Sequence, residues 1–358
     1  MIPPPRFVFT ELNKRCNLRC EHCNYHLRND DSREFYLGQQ RIEEIAAEFA
    51  ELNPAGTLVT CGGEPMLDIE DYFHYTTTAR RFGLQCFSVV NGTRVTRTNA
   101  ERIVCEGPTE ITVSIDSPFE EKHDRWRGVN GSWRVATQAV RRILDARNGG
   151  AFPKVNVMLI LCERSWRDLP AYYQLVLDDL KADRAKLNVI QPTFGGTASD
   201  DAFFAANIVR DTVGLHELLQ ACDTRWNLRL NPQWIAQVIG YFDALVKPET
   251  LCIPTARLTG VAGREPGKGW RSQMGTSEHI CNTYERNVMI DTTGLARLCF
   301  SSGFKGMPLR QRGDLRKFWY DFAPVVRESM KSCNRYCGIS HSVRRQHATV
   351  KLDGVSAW

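Results

Sequence analysis

The stretch TELNKRCNLRCEHCNY, residues 10–25, sets Cys16, Cys20 and Cys23 at the spacing C-x3-C-x2-C, immediately after a β-rich run at residues 6–12. Three thiols this close at the end of a strand make a metal-ligand set one short of the four that close a tetrahedral or four-iron site. Spacing alone leaves two arrangements open. One is a four-iron cluster with one iron free of protein; the other is a structural zinc site completed by a more distant ligand such as His22 or His26. Three unconnected core thiols are a poor fit, because Asn17, Arg19, Glu21 and His22 are interleaved with them.

Outward from this stretch, short β-rich runs at residues 6–12, 57–60, 85–90, 110–115, 154–161 and 186–191 alternate with segments of helical periodicity. Ile42, Ile45, Phe49 and Leu52 mark one apolar helix face, and Ala136, Val140, Ile143 and Leu144 another. Strands separated by helices predict a parallel sheet, here a partial (β/α)6 TIM-like barrel whose chemistry sits at the C-terminal strand ends. The rhythm changes after residue 200, with helices near 208–222 and 232–246, a Gly- and Pro-containing stretch at 253–275, and cysteine-punctuated sequence thereafter. The expected division is a barrel over 1–200, a helical bridge over 201–275, and a cysteine-bearing module with a tail over 276–358.

The bulk composition is that of a globular α/β protein of 358 residues, 42% hydrophobic and 24% charged. Forty-six Lys and Arg against forty-one Asp and Glu give +5, too small and too dispersed to point to nucleic acid. No signal peptide or membrane-spanning apolar stretch is present in the sequence, so a soluble cytoplasmic protein is expected. Thirteen cysteines in a reducing compartment favour metal or redox chemistry over disulfides.

Polar and glycine motifs stand at the ends of the next strands. Gly62-Gly63-Glu64-Pro65 follows the second, where absent side chains let backbone groups approach a ligand. Asn91-Gly92-Thr93 ends the third and Ser114-Ile115-Asp116 the fourth; these residue types also cap turns. His123-Asp124-Arg125-Trp126-Arg127-Gly128 comes next. Together with the cysteine triplet, these motifs resemble the radical S-adenosylmethionine (SAM) superfamily.

The resemblance implies a [4Fe-4S] cluster on Cys16, Cys20 and Cys23 whose open iron is chelated by SAM. It implies reductive cleavage of SAM to methionine and a 5′-deoxyadenosyl radical. His22 holds the position just before the third cysteine, commonly aromatic in the family. Gly62, Gly63, Glu64 and Pro65 correspond to the motif that contacts the methionine amino group. Asn91, Ser114 and Asp116 take the positions of ribose and carboxylate contacts. Arg127, with Arg125 as the alternative, is placed to pair with the SAM carboxylate.

A second cysteine set comprises Cys281, Cys299, Cys333 and Cys337. Four thiols suit a closed iron–sulfur site or a structural zinc site equally well. Residues 287–290 and 295–299, joined through 291–294, read as a β-hairpin that brings Cys281 and Cys299 together. The pattern is similar to the opening of SPASM modules, and its cysteine count fits the shorter twitch variant with one auxiliary [4Fe-4S] cluster. The final C-x3-C pair departs from that pattern. Cys252, in an irregular stretch, is the candidate hydrogen donor to a substrate radical.

A cluster fully ligated by cysteine has no site for substrate, so it is expected to accept or relay an electron, which favours dehydrogenation over epimerisation or decarboxylation. The expected substrate is a small polar natural-product intermediate such as an aminocyclitol, sugar or nucleoside, because the cluster strand begins close to Met1 without a leader-recognition domain. The alternative is a peptide-modifying maturase. A flavodoxin or ferredoxin is the expected electron donor. Gln191, Asn231, Gln233, Arg257 and Trp270 are further candidates for a substrate pocket.

Overall fold

The computed structural model describes residues 2–23, 25–28, 37–190, 203–246, 279–281, 286–299, 304–330 and 342–344. The chain starts with β1 (Phe7–Asn13), followed by α1 (Gln39–Leu52), β2 (Thr57–Gly62), α2 (Ile69–Arg81), β3 (Gln85–Val90) and α3 (Arg97–Glu106). It continues through β4 (Glu110–Ser114), α4 (Glu120–Arg127), α5 (Ser132–Arg147), β5 (Lys154–Leu161), α6 (Leu169–Tyr173) and β6 (Arg184–Val189). Two longer helices follow, α7 (Thr212–Trp226) and α8 (Pro232–Val246). Then come β7 (His279–Cys281), β8 (Asn287–Ile290), β9 (Leu295–Arg297), β10 (Met307–Pro308), α9 (Asp314–Lys317), α10 (Ala323–Met330) and β11 (Ser342–Arg344).

The six expected strands form, and β1 to β6 pair in parallel in sequence order. The sheet is wider than those six. β8 pairs in parallel with the free edge of β1, Phe7 opposite Asn287 and Thr10 opposite Ile290. β9 and β10 add antiparallel beyond it, giving nine strands in the order β10-β9-β8-β1-β2-β3-β4-β5-β6. Among the described residues no pairing joins β6 to β10, so the sheet is open. The hairpin expected in the C-terminal module thus forms at the expected residues and is hydrogen-bonded into the main sheet. Its turn is built by Asp291, whose Oδ1 accepts from the backbone of Thr293 and Leu295 at 2.9 and 3.1 Å.

Alternation along each strand separates two environments. Tyr75 on α2 donates to Thr10 Oγ1 at 3.0 Å, so Val8, Thr10 and Leu12 face the helices. The helix-facing layer is mostly apolar: Val8, Leu58, Ile111, Val113, Val155 and Val157 belong to one core with Ile42, Ile45, Phe49, Ala136, Val140 and Ile143, and Thr60 and Ser88 in the same layer hydrogen-bond each other at 2.8 Å. Removing these faces from water is the main stabilising term. The alternate residues point into the barrel and are often polar. Glu11 lies opposite Cys61, and Glu110 opposite Lys154. Lys186 and Glu110 form a buried ion pair inside the barrel.

No helix among the described residues is long and apolar enough to cross a membrane.

Candidate active site

The chain leaving β1 crosses the strand tips and is held on both sides by backbone hydrogen bonds. On one side, Gly63 N donates to Asn13 O at 3.0 Å and Glu64 N to Arg15 O at 2.7 Å. On the other, Arg19 N donates to Arg127 O and Glu21 N to Trp126 O, each at 2.9 Å. Cys23 N donates to Cys20 O at 3.1 Å, which closes the turn between the second and third cysteines. Arg15 also pairs with Asp68, the residue at the N-terminus of α2.

This crossing explains the paired glycines. Gly62 has φ +110, and a β-carbon there would lie 2.4 Å from Asn13 O; one on Gly63 would lie 1.8 Å from Arg15 O. The space expected for ligand approach is occupied, on the side-chain face, by the cysteine loop itself. Gly128 is the counterpart on the other side, with φ +66 and a β-carbon position 2.5 Å from Arg19 O.

One cavity of about 110 Å³ lies among these tips, lined by Cys16, Cys20, His22, Cys23, Tyr25, Gly62, Gly63, Glu64, Asn91, Ser114 and Arg127. Five segments distant in sequence therefore converge at the C-terminal ends of β1 to β4. All three thiols line the cavity, and among the described residues no group of three His, Cys, Asp or Glu side chains is gathered around a single ion position. A zinc ion needs all its sulfurs about 2.3 Å from one centre. In a four-iron cluster each thiolate serves its own iron, and three cysteine thiols lining one cavity are the donor type such a cluster takes. Burial pushes the Cys20 thiol up to about 12 against the pull of Arg127, and raises Cys16 as well. Metal loading must release those protons.

Glu64 forms the wall between β2 and β3. Its carboxylate accepts from Met66 N at 3.1 Å and from Asn91 N at 2.7 Å, and burial raises its pKa to about 7 against those two bonds. Pro65 is buried behind it and opens the short helical turn Pro65–Leu67. Asn91 donates through Nδ2 to Asn17 Oδ1 at 2.9 Å and accepts from Thr93, while Asn17 donates to Thr93 at 2.9 Å. Its side chain thus braces the cysteine loop. Ser114 is buried at the cavity wall.

Arg127 lines the cavity, and Asp116 is buried beside it. Arg127 Nε lies 2.7 Å from Asp116 Oδ2, and its Nη1 donates to Cys20 Sγ at 3.7 Å. Asp116 is 1% exposed and absent from the cavity lining. Burial opposes its charge, yet the Arg127 guanidinium holds its carboxyl below the usual range. Arg125 is exposed, which leaves Arg127 as the arginine of this motif at the cavity. His22 packs its ring against Phe203 at 6.1 Å, and burial lowers its pKa to about 4.

Two residues not singled out from the sequence, Glu11 and Tyr25, also face this region, as does Cys61, which adjoins the Gly62–Pro65 loop in sequence. Tyr25 donates to Glu11 on the interior face of β1. Cys61, across from Glu11, contacts Met289 of β8 through sulfur at 3.9 Å. The missed signal is the alternation in FVFTELN, where the acidic Glu11 follows Phe7 and Phe9 on the inward face. Asn231 and Gln233 serve the start of α8, where Gln233 N donates to Asn231 Oδ1 at 2.8 Å. Gln191, Cys252, Arg257, Trp270, Cys333 and Cys337 lie outside the described residues. Cys281 is on β7, opposite Ser342 of β11, and Cys299 follows β9.

A mostly parallel, open α/β sheet with a thiol-lined cavity at the C-terminal tips of β1 to β4 places the chain among α/β folds that bind a cofactor at their strand ends. Residues 10–176 match the family described as the Radical SAM superfamily, and this part of the chain is a radical SAM domain. An AdoMet-dependent heme synthase of Nitratidesulfovibrio vulgaris is 30% identical over 148 residues, covering 40% of this chain and 38% of the relative. One from Methanosarcina barkeri is 27% identical over 205 residues, covering 56% and 55%. The chain thus spans about half or less of these curated relatives. Among solved structures, Streptococcus suis SuiB bound to precursor peptide SuiA superposes with a TM-score of 0.59 at 14% identity, over 89% of this chain and 65% of SuiB. That likeness is one of fold.

Proposed function

We propose that this protein is a radical SAM enzyme that removes a hydrogen atom from a polar small molecule held inside the barrel, with oxidation as the favoured outcome. The observation that carries the reading is the single cavity shared by Cys16, Cys20, Cys23, Gly62, Gly63, Glu64, Asn91, Ser114 and Arg127. When bound, the cluster and SAM supply an electron and a carbon radical able to break an unactivated C–H bond. The chain's own residues hold, orient and shield. Cys16, Cys20 and Cys23 are the cluster ligands; the Gly62–Pro65 backbone, Asn91, Ser114 and Arg127 surround the place for SAM, with His22 at its rim.

The barrel interior supports a polar substrate. Glu11 with Tyr25, Asn156, and the Lys186–Glu110 pair all project into it. Glu11 and Tyr25 are the pair nearest the cavity and would orient a hydroxyl or amino group by hydrogen bonding. The names carried by the sequence relatives point to tetrapyrrole synthesis rather than aminocyclitol chemistry, so the substrate class proposed here is the broader one of polar small molecules.

Cys281, Cys299, Cys333 and Cys337 are proposed to hold an auxiliary [4Fe-4S] cluster. Support comes from the described residues on either side of Cys333 and Cys337 in sequence: α10 ends at Met330, and Ser342 pairs with Cys281. Such a cluster would take an electron from the substrate radical. Cys252 remains the proposed hydrogen donor for an epimerisation outcome, and a flavodoxin or ferredoxin the proposed donor of the first electron.

The test is 5′-deoxyadenosine release by the anaerobically reconstituted, reduced chain. Panels of carboxylated tetrapyrroles, aminocyclitols, nucleosides and sugar acids are set beside a panel of peptides. Stimulation by one of the small molecules is expected. Stimulation by peptides alone would replace this reading with that of a peptide maturase.

A further inference from the structure

We propose that Arg127 sets the reduction potential of the cluster held by Cys16, Cys20 and Cys23, by keeping a buried guanidinium against the Cys20 sulfur with Asp116 as its anchor. The proposal rests on the reading of those cysteines as cluster ligands. Arg127 is 7% exposed, and its Nη1 donates to Cys20 Sγ at 3.7 Å. Its Nε is 2.7 Å from Asp116 Oδ2. Asp116 is itself fixed: its N–H donates to His123 Nδ1 at 3.1 Å, and its Oδ1 accepts from Ile160 N at 3.4 Å. The backbone of Arg127 and Trp126 accepts from Arg19 and Glu21, on either side of Cys20. Main chain and side chain of α4 therefore grip the same cysteine.

Reduction adds one electron from an external low-potential donor, and no bond forms or breaks. A cluster held by Cys16, Cys20 and Cys23 would gain one negative charge on reduction, shared among its sulfurs. Hydrogen bonds to cluster sulfur and nearby net charge are the main protein levers on such potentials. A cation in contact with a ligand sulfur, away from water, stabilises the reduced form more than the oxidised one. Asp116 offsets part of this effect. Asp116 faces Nε whereas the sulfur faces Nη1, so the guanidinium is the charge in hydrogen-bond contact with the ligand sulfur and the net effect of the pair favours reduction.

The experiment is an EPR-monitored redox titration of the reconstituted full-length chain without SAM. Arg127→Gln is expected to lower the potential by at least tenfold in the reduced-to-oxidised ratio, about 59 mV for one electron. Arg127→Lys keeps the charge and is expected to fall between that value and the wild type. Asp116→Asn is expected to shift the potential the opposite way. A potential for Arg127→Gln equal to wild type, with only SAM affinity reduced, would overturn the proposal and leave Arg127 as a SAM contact. Should Arg127→Gln fail to retain iron, Asp116→Asn decides: a raised potential supports the proposal, and an unchanged or lowered one overturns it. A wild-type chain that takes up no iron overturns instead the reading of the cysteines beneath it.

Discussion

The two ends of the barrel interior are built on opposite principles. At the C-terminal tips, position is fixed by main chain: four backbone hydrogen bonds hold the cysteine loop between β2 and α4, and the side chains that would obstruct it are absent at Gly62, Gly63 and Gly128. Deeper in the barrel, position is fixed by side chains, with Lys186 and Glu110 paired away from water beside Asn156, whose Oδ1 is buried without a hydrogen-bond partner. A ligand-bearing loop tolerates no added volume, whereas an internal ion pair tolerates replacement if both charges leave together. The difference is one of steric against electrostatic complementarity.

The largest effect is expected where the steric rule is broken. Gly63→Ala puts a β-carbon 1.8 Å from Arg15 O, so the loop must move. A loss of more than about 4 kcal/mol and failure to retain iron are expected, because the clash is with backbone that has no rotamer to relieve it. Iron and sulfide analysis with thermal melting checks this; a fully loaded variant would refute the account of the paired glycines.

The electrostatic rule is tested by Lys186→Met. Leaving Glu110 buried without its partner is expected to cost about 3–4 kcal/mol in urea unfolding, and the double change with Glu110→Leu to recover to within about 1 kcal/mol of wild type. A double variant as unstable as the single one would mean that the pair is needed for more than mutual neutralisation.

Glu64 belongs to the tips but carries a charge, so it sharpens the contrast. Its folded pKa is raised from 4.5 to about 7 by burial, against its backbone donors. The native state thus binds a proton more tightly than the unfolded chain, and this group's contribution to apo-protein stability falls as pH rises from about 4.5 to about 7, by up to about 3 kcal/mol. Glu64→Gln is expected to remove that component, seen as a difference in the pH profile of unfolding free energy. A profile parallel to wild type would show that the two N–H donors outweigh burial.

The smallest change is expected from Tyr25→Phe, which removes the hydroxyl donated to Glu11. About 1.5 kcal/mol of stability is expected to go, with normal iron content. Substrate-stimulated deoxyadenosine release should fall, while slow release without substrate should not. An equal fall in both would assign Tyr25 to the cluster end rather than to substrate.

Much of the site was legible in sequence because its signals are local. Three cysteines at fixed spacing, a glycine pair after a strand, and polar residues at strand ends each mark themselves without knowledge of the fold. Alternation of β-rich and helical periodicity gave the six strands within a few residues, since each element buries one face against the other. What sequence could not supply were distances between segments far apart in the chain. The resemblance offered Asp116 and Arg127 as contacts for SAM; folding also sets Arg127 against both the Asp116 carboxylate and the Cys20 sulfur. The role of Glu11 was hidden because an inward polar residue on a strand is recognisable only once the inward direction is known.

The sequence by itself determined the residue chemistry: which atoms can ligate iron, where chain without side chains is required, and which faces must leave water. Tertiary structure alone decided that the space beside Gly63 belongs to the cysteine loop, that β8 continues the sheet at β1, and that one arginine faces both a carboxylate and a sulfur. The reason is physical. Composition and periodicity are properties of a segment, whereas steric exclusion and Coulomb interaction act between atoms that only folding brings within a few ångströms.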